Sequence, residues 1–139
     1  QTYPSGATVT LTAAPTTGSS FYEWTGCDSV NTARKQCTVT MAKARTVKAT
    51  FAKPALLTVK KAGLGAGTVA SLPLGIFCGA DCNQIYRFNT VVYLMAAPAT
   101  GSAFGSWQNC PLVTTYAGIK VCSVLMNQDR TVTATFVKQ

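Results

Sequence analysis

Apolar and polar residues alternate in short runs along most of this chain, and turn-forming residues separate the runs. Val9, Leu11 and Ala13 fall on one side and Thr8, Thr10 and Thr12 on the other, which predicts a half-buried strand over residues 7 to 13. Pro15 cannot donate to a ladder and Thr16-Thr17-Gly18-Ser19 supplies turn chemistry, so a second strand is expected to begin near Ser20 and carry Phe21 to Trp24. After a loop bounded by Cys27 and Cys37, the alternations Cys37-Val39-Met41 and Val47-Ala49-Phe51 flank Ala42 to Ala44 and predict a hairpin. Ala52-Lys53-Pro54 reads as a junction. Beyond it, Leu56 to Lys61 predicts a strand, Ala62 to Gly67 a flexible turn, and Thr68 to Leu72 the antiparallel partner of that strand. Pro73 to Cys82 predicts a loop clipped by Cys78 and Cys82, and residues 84 to 97 one long strand. No stretch carries a sustained helical period. The expected architecture is therefore all-β, built as small antiparallel modules of sandwich-like or β-grasp-like form.

The two halves repeat one another. Ala13 to Trp24 returns as Ala96 to Trp107, an offset of 83, and Cys27 and Cys110 each follow the Trp by three positions. Further on the offset becomes 85, matching Cys37 to Met41 with Cys122 to Met126 and Arg45 to Phe51 with Arg130 to Phe136. Two residues are thus gained inside the second cysteine loop. The domain expectation is an incomplete first repeat over 1–52, a junction over 53–55 and a complete second repeat over 56–139. Modules of this size bury little surface and depend on staples.

Six cysteines and no histidine rule out zinc fingers of the Cys/His kind, and no CxxC pair is present to begin a four-cysteine site. Repeat register pairs Cys27 with Cys37 and Cys110 with Cys122, and leaves Cys78 for Cys82, out of fifteen possible connectivities. Oxidised thiols place the protein outside the cytosol, extracellular or at the cell surface. No leader-like stretch opens the sequence, which is expected to start at a processed or trimmed end. No apolar run reaches membrane-spanning length.

The quoted residues resemble a known family. The run Leu57-Thr58-Val59-Lys60-Lys61, the glycine-rich turn, Gly75 to Cys82, the Ala-Ala-Pro-x-x-Gly-Ser stretch, Trp107, the Cys110/Cys122 pair and Thr131 to Phe136 are similar to the divergent B-repeats of internalin-type bacterial surface proteins. The likeness is complete over residues 55 to 137 and partial over 1 to 51. It implies a spacer or adhesive unit without enzymatic activity. Two departures stand out: the longer second cysteine loop, and Asn109 before Cys110 where Gly26 precedes Cys27.

Candidate chemistry is sparse. Cys78-x-x-x-Cys82 could in principle serve redox exchange, but no histidine or helix N-terminus is present to lower a thiol pKa. The acids number only four, Glu23, Asp28, Asp81 and Asp129; Glu23 and Asp28 read as turn or surface residues rather than a catalytic dyad. Without histidine a Ser-His-Asp triad is excluded, so no conventional hydrolase is expected and no cofactor or metal is assigned. Lys and Arg outnumber Asp and Glu by 12 to 4, giving a net charge of +8, but they are scattered rather than gathered into a nucleic-acid patch. Nucleic acid is an unexpected partner; a glycan or another polyanion is the alternative to a structural role. Phe21, Trp24, Phe104 and Trp107 could stack on sugars, yet their recurrence in register favours core packing. Tyr22, replaced by Gly105 in the second copy, is a candidate surface aromatic.

The copies differ most on one face. Where the first shows Ser5, Thr8, Thr10, Thr12 and Thr40, the second shows Phe88, Val91, Tyr93, Met95 and Leu125. Either these five form a partner interface, or the extra hairpin over 56 to 72 or the first unit folds across them. A second difference is the register of Gln1-Thr2-Tyr3 with Gln84-Ile85-Tyr86, which leaves the first copy without two strands and the CxxxC clip. Another subunit could supply those strands, making a head-to-tail homo-oligomer or filament. The other account is that the sequence is an excised piece of a longer repeat array.

Overall fold

A computed structural model describes residues 1–139 and contains thirteen strands and no helix. The chain is all-β and divides into two compact units, Gln1–Lys53 and Pro54–Gln139. Unit 1 holds β1 (Ala7–Thr12), β2 (Ser20–Thr25), β3 (Ser29–Asn31), β4 (Gln36–Met41) and β5 (Lys48–Ala52). Unit 2 holds β6 (Ala55–Ala62), β7 (Gly67–Leu72), β8 (Asn83–Tyr86), β9 (Thr90–Pro98), β10 (Ser102–Gln108), β11 (Leu112–Tyr116), β12 (Ile119–Met126) and β13 (Arg130–Lys138).

Unit 2 is a sandwich of two four-stranded sheets, ordered β11-β12-β9-β7 and β10-β13-β6-β8. The period-2 alternation of each strand turns one set of side chains inward. Val69, Val92, Leu94, Val124 and Met126 from the first sheet pack on Leu57, Val59, Val132, Ala134 and Phe136 from the second, all of them buried. Unit 1 has the same plan with fewer strands, β1-β4-β3 in one sheet and β2-β5 in the other.

The pairing departs from the sequence expectation at three places. Strands β6 and β7 are not a hairpin: each lies in a different sheet, and residues 63 to 66 carry the chain from layer to layer. Leu57 and Val59 thus meet Val69 across the core, which satisfies both alternations without any ladder between the strands. Gly63 makes this arch with φ 92°, at a point where a Cβ would run into the Phe136 carbonyl. Strands β4 and β5 are likewise an arch between layers and not the expected hairpin. The single long strand expected over 84 to 97 is two strands, β8 and β9, in different sheets. They are separated by a turn in which Asn89 takes φ 66°. Gly6, at the same repeat position, takes φ 83°. Within the unit 2 sandwich one pair is parallel, β13 with β6, with Val132 opposite Val59.

The loop between β7 and β8 is held by one buried hydroxyl. Ser71 Oγ donates to the Pro73 carbonyl at 2.8 Å, accepts the Ile76 N–H at 2.9 Å and lies 2.8 Å from the Tyr86 hydroxyl. A polar group with 1% of its surface exposed is stable in the core only when partnered in this way.

Candidate functional site

Each unit carries one cysteine-closed loop fixed from both ends. Cys27 bonds Cys37, Cys110 bonds Cys122, and a third disulfide joins Cys78 to Cys82; no cysteine is free. Cys37, Cys78 and Cys122 are fully buried and belong to the packing of their units. The Trp24 indole N–H donates to the Lys35 carbonyl at 3.0 Å, and the Trp107 N–H does the same to Lys120 at 2.9 Å. The rings also pack on Phe21 and Phe104, with centroids 5.9 and 5.2 Å apart. The recurring aromatics therefore tie the disulfide loop to the sandwich. The longer loop of unit 2 forms the β11-β12 hairpin, closed by Ala117 and Gly118, both at positive φ, as a two-residue type I′ turn demands. Asn109 and Gly26 both sit at positive φ, 57° and 83°, so asparagine performs there the turn that glycine makes in unit 1.

The carboxylates serve backbone geometry. Asp28 accepts the Thr40 N–H at 2.7 Å and binds the Arg45 guanidinium at 2.7 Å. The Thr40 N–H first, and Arg45 second, hold its carboxyl below its ordinary pKa. Asp129 accepts the Leu56 N–H at 2.8 Å and Asp81 accepts that of Asn83 at 3.3 Å. A carboxyl whose folded pKa is depressed contributes stability above its unfolded pKa, and that contribution is lost as pH falls through the folded value. Unit 1 should accordingly lose stability on acidification below about pH 4, and Asp28→Asn should flatten that acid limb. Urea titrations from pH 5 to pH 2 followed by Trp24 fluorescence check this; an unchanged acid limb in the variant would remove the assignment.

The broadest feature is the outer face of the β11-β12-β9-β7 sheet. Val91, Tyr93 and Met95 alternate along β9 on this face, and Leu125 of β12 stands directly opposite Val91. Across the sheet, Leu72, Tyr93, Ser123 and Leu112 form one row and Ala70, Met95, Val121 and Thr114 the next, with Phe77 bridged to Ala70 at the edge. Beyond them Ile119 faces Tyr116. Tyr93 is 44% exposed and Leu112 57%. The segment over 56 to 72, one of the alternatives for covering this face, does not lie across it: β7 lies in the same sheet and widens the apolar surface with Leu72. Phe88 departs from the expected stripe, because it lies half-buried in the β8-β9 turn outside the strand alternation. Leu72, Phe77, Leu112, Tyr116 and Ile119 join the face through strand neighbours that no single run of sequence reveals.

The corresponding face of unit 1 is polar throughout. Thr8 stands opposite Thr40, Thr10 faces Thr38 beside Ser29, and Thr12 faces Gln36 beside Asn31. Tyr22 is exposed and sits at the bulge between Phe21 and Glu23, where unit 2 has Gly105 in its own bulge. No three histidine, cysteine or acidic residues are gathered as a metal site would require, and no helix is long and apolar enough to cross a membrane.

Two-layer β units stapled by oxidised cysteines, with surfaces that differ from copy to copy, define a tandem β-repeat protein. The chain belongs to the divergent InlB B-repeat domain family, whose model matches residues 1–55 and again 57–139. Neither a curated protein nor a solved structure matches it. That family is one of bacterial surface repeats, and both the membership and the disulfides are compatible with an extracellular location.

Proposed function

We propose that this is a non-enzymatic, extracellular structural or adhesive repeat protein, which assembles as a subunit of a surface filament and works by contact. The observation that carries this reading is the outer face of the β11-β12-β9-β7 sheet, apolar in unit 2 and threonine-rich at every equivalent place in unit 1. A sheet face open to water normally carries polar residues, and contiguous exposed apolar surface marks a partner site. A flat two-dimensional array of side chains suits a second sheet or a like module better than a small molecule, which favours a concave site. Concentration-dependent association in sedimentation velocity is the expected result. Tyr93→Lys with Leu125→Lys should keep the protein monomeric, while Thr10→Lys on unit 1 should leave association unchanged. A wild-type chain that stays monomeric at millimolar concentration would overturn the reading.

A further inference from the structure

In unit 1 two donors grip one carboxylate. Asp28 accepts the Thr40 N–H on Oδ2 at 2.7 Å and the Arg45 guanidinium on Oδ1 at 2.7 Å, and this is the one ion pair of the chain. Arg45 also donates to the Gly26 carbonyl at 3.1 Å, which seats its head group beside the cysteine loop. The depressed pKa of Asp28, caused first by the Thr40 N–H and then by Arg45, reports that the donors favour the ionised form.

Unit 2 keeps both donors and has changed the acceptor. Repeat register puts Arg130 at the place of Arg45, Leu125 at that of Thr40 and Pro111 at that of Asp28. The ladders agree, since Leu112 stands opposite Ser123 as Ser29 stands opposite Thr38. The Leu125 carbonyl accepts the Asn127 N–H at 3.1 Å, as the Thr40 carbonyl accepts that of Ala42 at 3.1 Å. A strand residue points its N–H and its C=O to the same side, so the Leu125 N–H is aimed away from β9, toward the start of β11. There Pro111 offers no polar side chain to receive it. Arg130 is half-buried, donates to Asn127 Oδ1 at 3.0 Å and keeps its Nε buried without a partner. Asn127 is neutral and stands where unit 1 has Ala42, so it orients the guanidinium without cancelling its charge. Asp129, next in sequence, is bound to the Leu56 N–H and forms no ion pair with Arg130.

We propose that the Arg130 guanidinium and the Leu125 N–H form a binding site for a carboxylate from outside unit 2, supplied by Glu23 of a second copy. One oxygen goes to each donor, as Asp28 shows in unit 1. The Leu125 side chain belongs to the apolar outer face, opposite Val91, so the site lies at the rim of that surface. No strand position on the face is charged, and a charged anchor at its rim fixes the orientation that a flat apolar surface leaves open. Of the four acids in the chain, Asp28, Asp81 and Asp129 are bound to backbone N–H groups. Glu23 is exposed on β2 and makes no ion pair. A contact from unit 1 of one copy to unit 2 of the next is heterologous and can continue along a chain. The choice of source rests on the reading of this protein as one that assembles by contact; the donor pair does not.

The site is tested by NMR titration of the full oxidised chain, at a concentration where sedimentation shows only monomer. The probes are acetyl-Val-Glu-Val-amide and its glutamine counterpart, at constant ionic strength. The glutamate peptide should shift the Leu125 amide and the Arg130 Nε–H saturably, and the glutamine peptide should bind at least about tenfold more weakly. Arg130→Gln should weaken glutamate binding, and Pro111→Asp, which restores the arrangement of unit 1, should abolish it. No binding, equal binding by the two peptides, or undiminished binding to Pro111→Asp would each overturn the site. The source is tested by sedimentation velocity. Glu23→Gln and Arg130→Gln should each weaken self-association, and an equimolar mixture of the two should form one-to-one pairs that do not grow. Wild-type association by Glu23→Gln would overturn the assignment to a second copy. A chain that never associates would overturn the contact reading and leave the peptide titration unaffected, so the two failures are distinguishable.

Discussion

Phe136→Ala is expected to destabilise unit 2 by about 3 to 5 kcal/mol, whereas Phe51→Ala should cost unit 1 about 1 kcal/mol. The two residues occupy the same repeat position, and both pack edge-on against the aromatic of the neighbouring strand, Phe104 in one case and Phe21 in the other. Their surroundings differ. Phe136 is closed in by β6, the arch and Gly67, so truncation leaves a cavity lined by atoms that cannot follow. Phe51 already faces water over nearly half of its surface, so the atoms removed by truncation are partly solvated. The chain has two tryptophans, Trp24 in unit 1 and Trp107 in unit 2, and a Trp→Phe change at either one isolates the other as a reporter. Urea unfolding of each variant in such backgrounds gives the two costs separately. Equal costs would mean that unit 1 is as closed as unit 2.

Cys110→Ala with Cys122→Ala is expected to lower the stability of unit 2 by about 3 kcal/mol, and Cys78→Ala with Cys82→Ala by about 2 kcal/mol. The sequence separations are 12 and 4, and the longer closure removes more conformational freedom from the unfolded chain. Both figures are large for a unit of this size, whose whole stability is about 5 to 10 kcal/mol. The Cys110-Cys122 bond also fixes the β11-β12 hairpin, because Cys122 is buried against the core while Leu112 and Tyr116 face solvent. Its loss should therefore blunt association through the outer face even at temperatures where the sandwich persists. Unfolding midpoints that do not change on full reduction would contradict the role given to these bonds.

Much of this was legible in the residues, and the failures have one cause. Alternation of Val9 with Thr8 or Val132 with Thr131 identifies strands and their inward sides, since only the period is needed. It does not say which strand lies beside which. A short link such as Ala62 to Gly67 serves a hairpin or an arch equally well, and only the packing of Leu57 and Val59 onto Val69 decides for the arch. The break at Asn89 was hidden because Tyr86, Val92 and Leu94 keep the same parity through the turn, though Gly6 in the first copy marks the same position. The apolar stripe was visible along β9 and at Leu125 of β12; Leu72 and Leu112 needed the sheet order to join it. The disulfide pairs were readable because the repeat fixes their register.

Residue-resolved amide exchange of the full chain in its oxidised form tests most directly whether unit 1 is open where unit 2 is closed. Slow exchange at Arg130 to Val132 and at Ala97, with fast exchange at Arg45 to Val47 and at Ala14, is the expected result. Equal protection at the two sets of positions would contradict it.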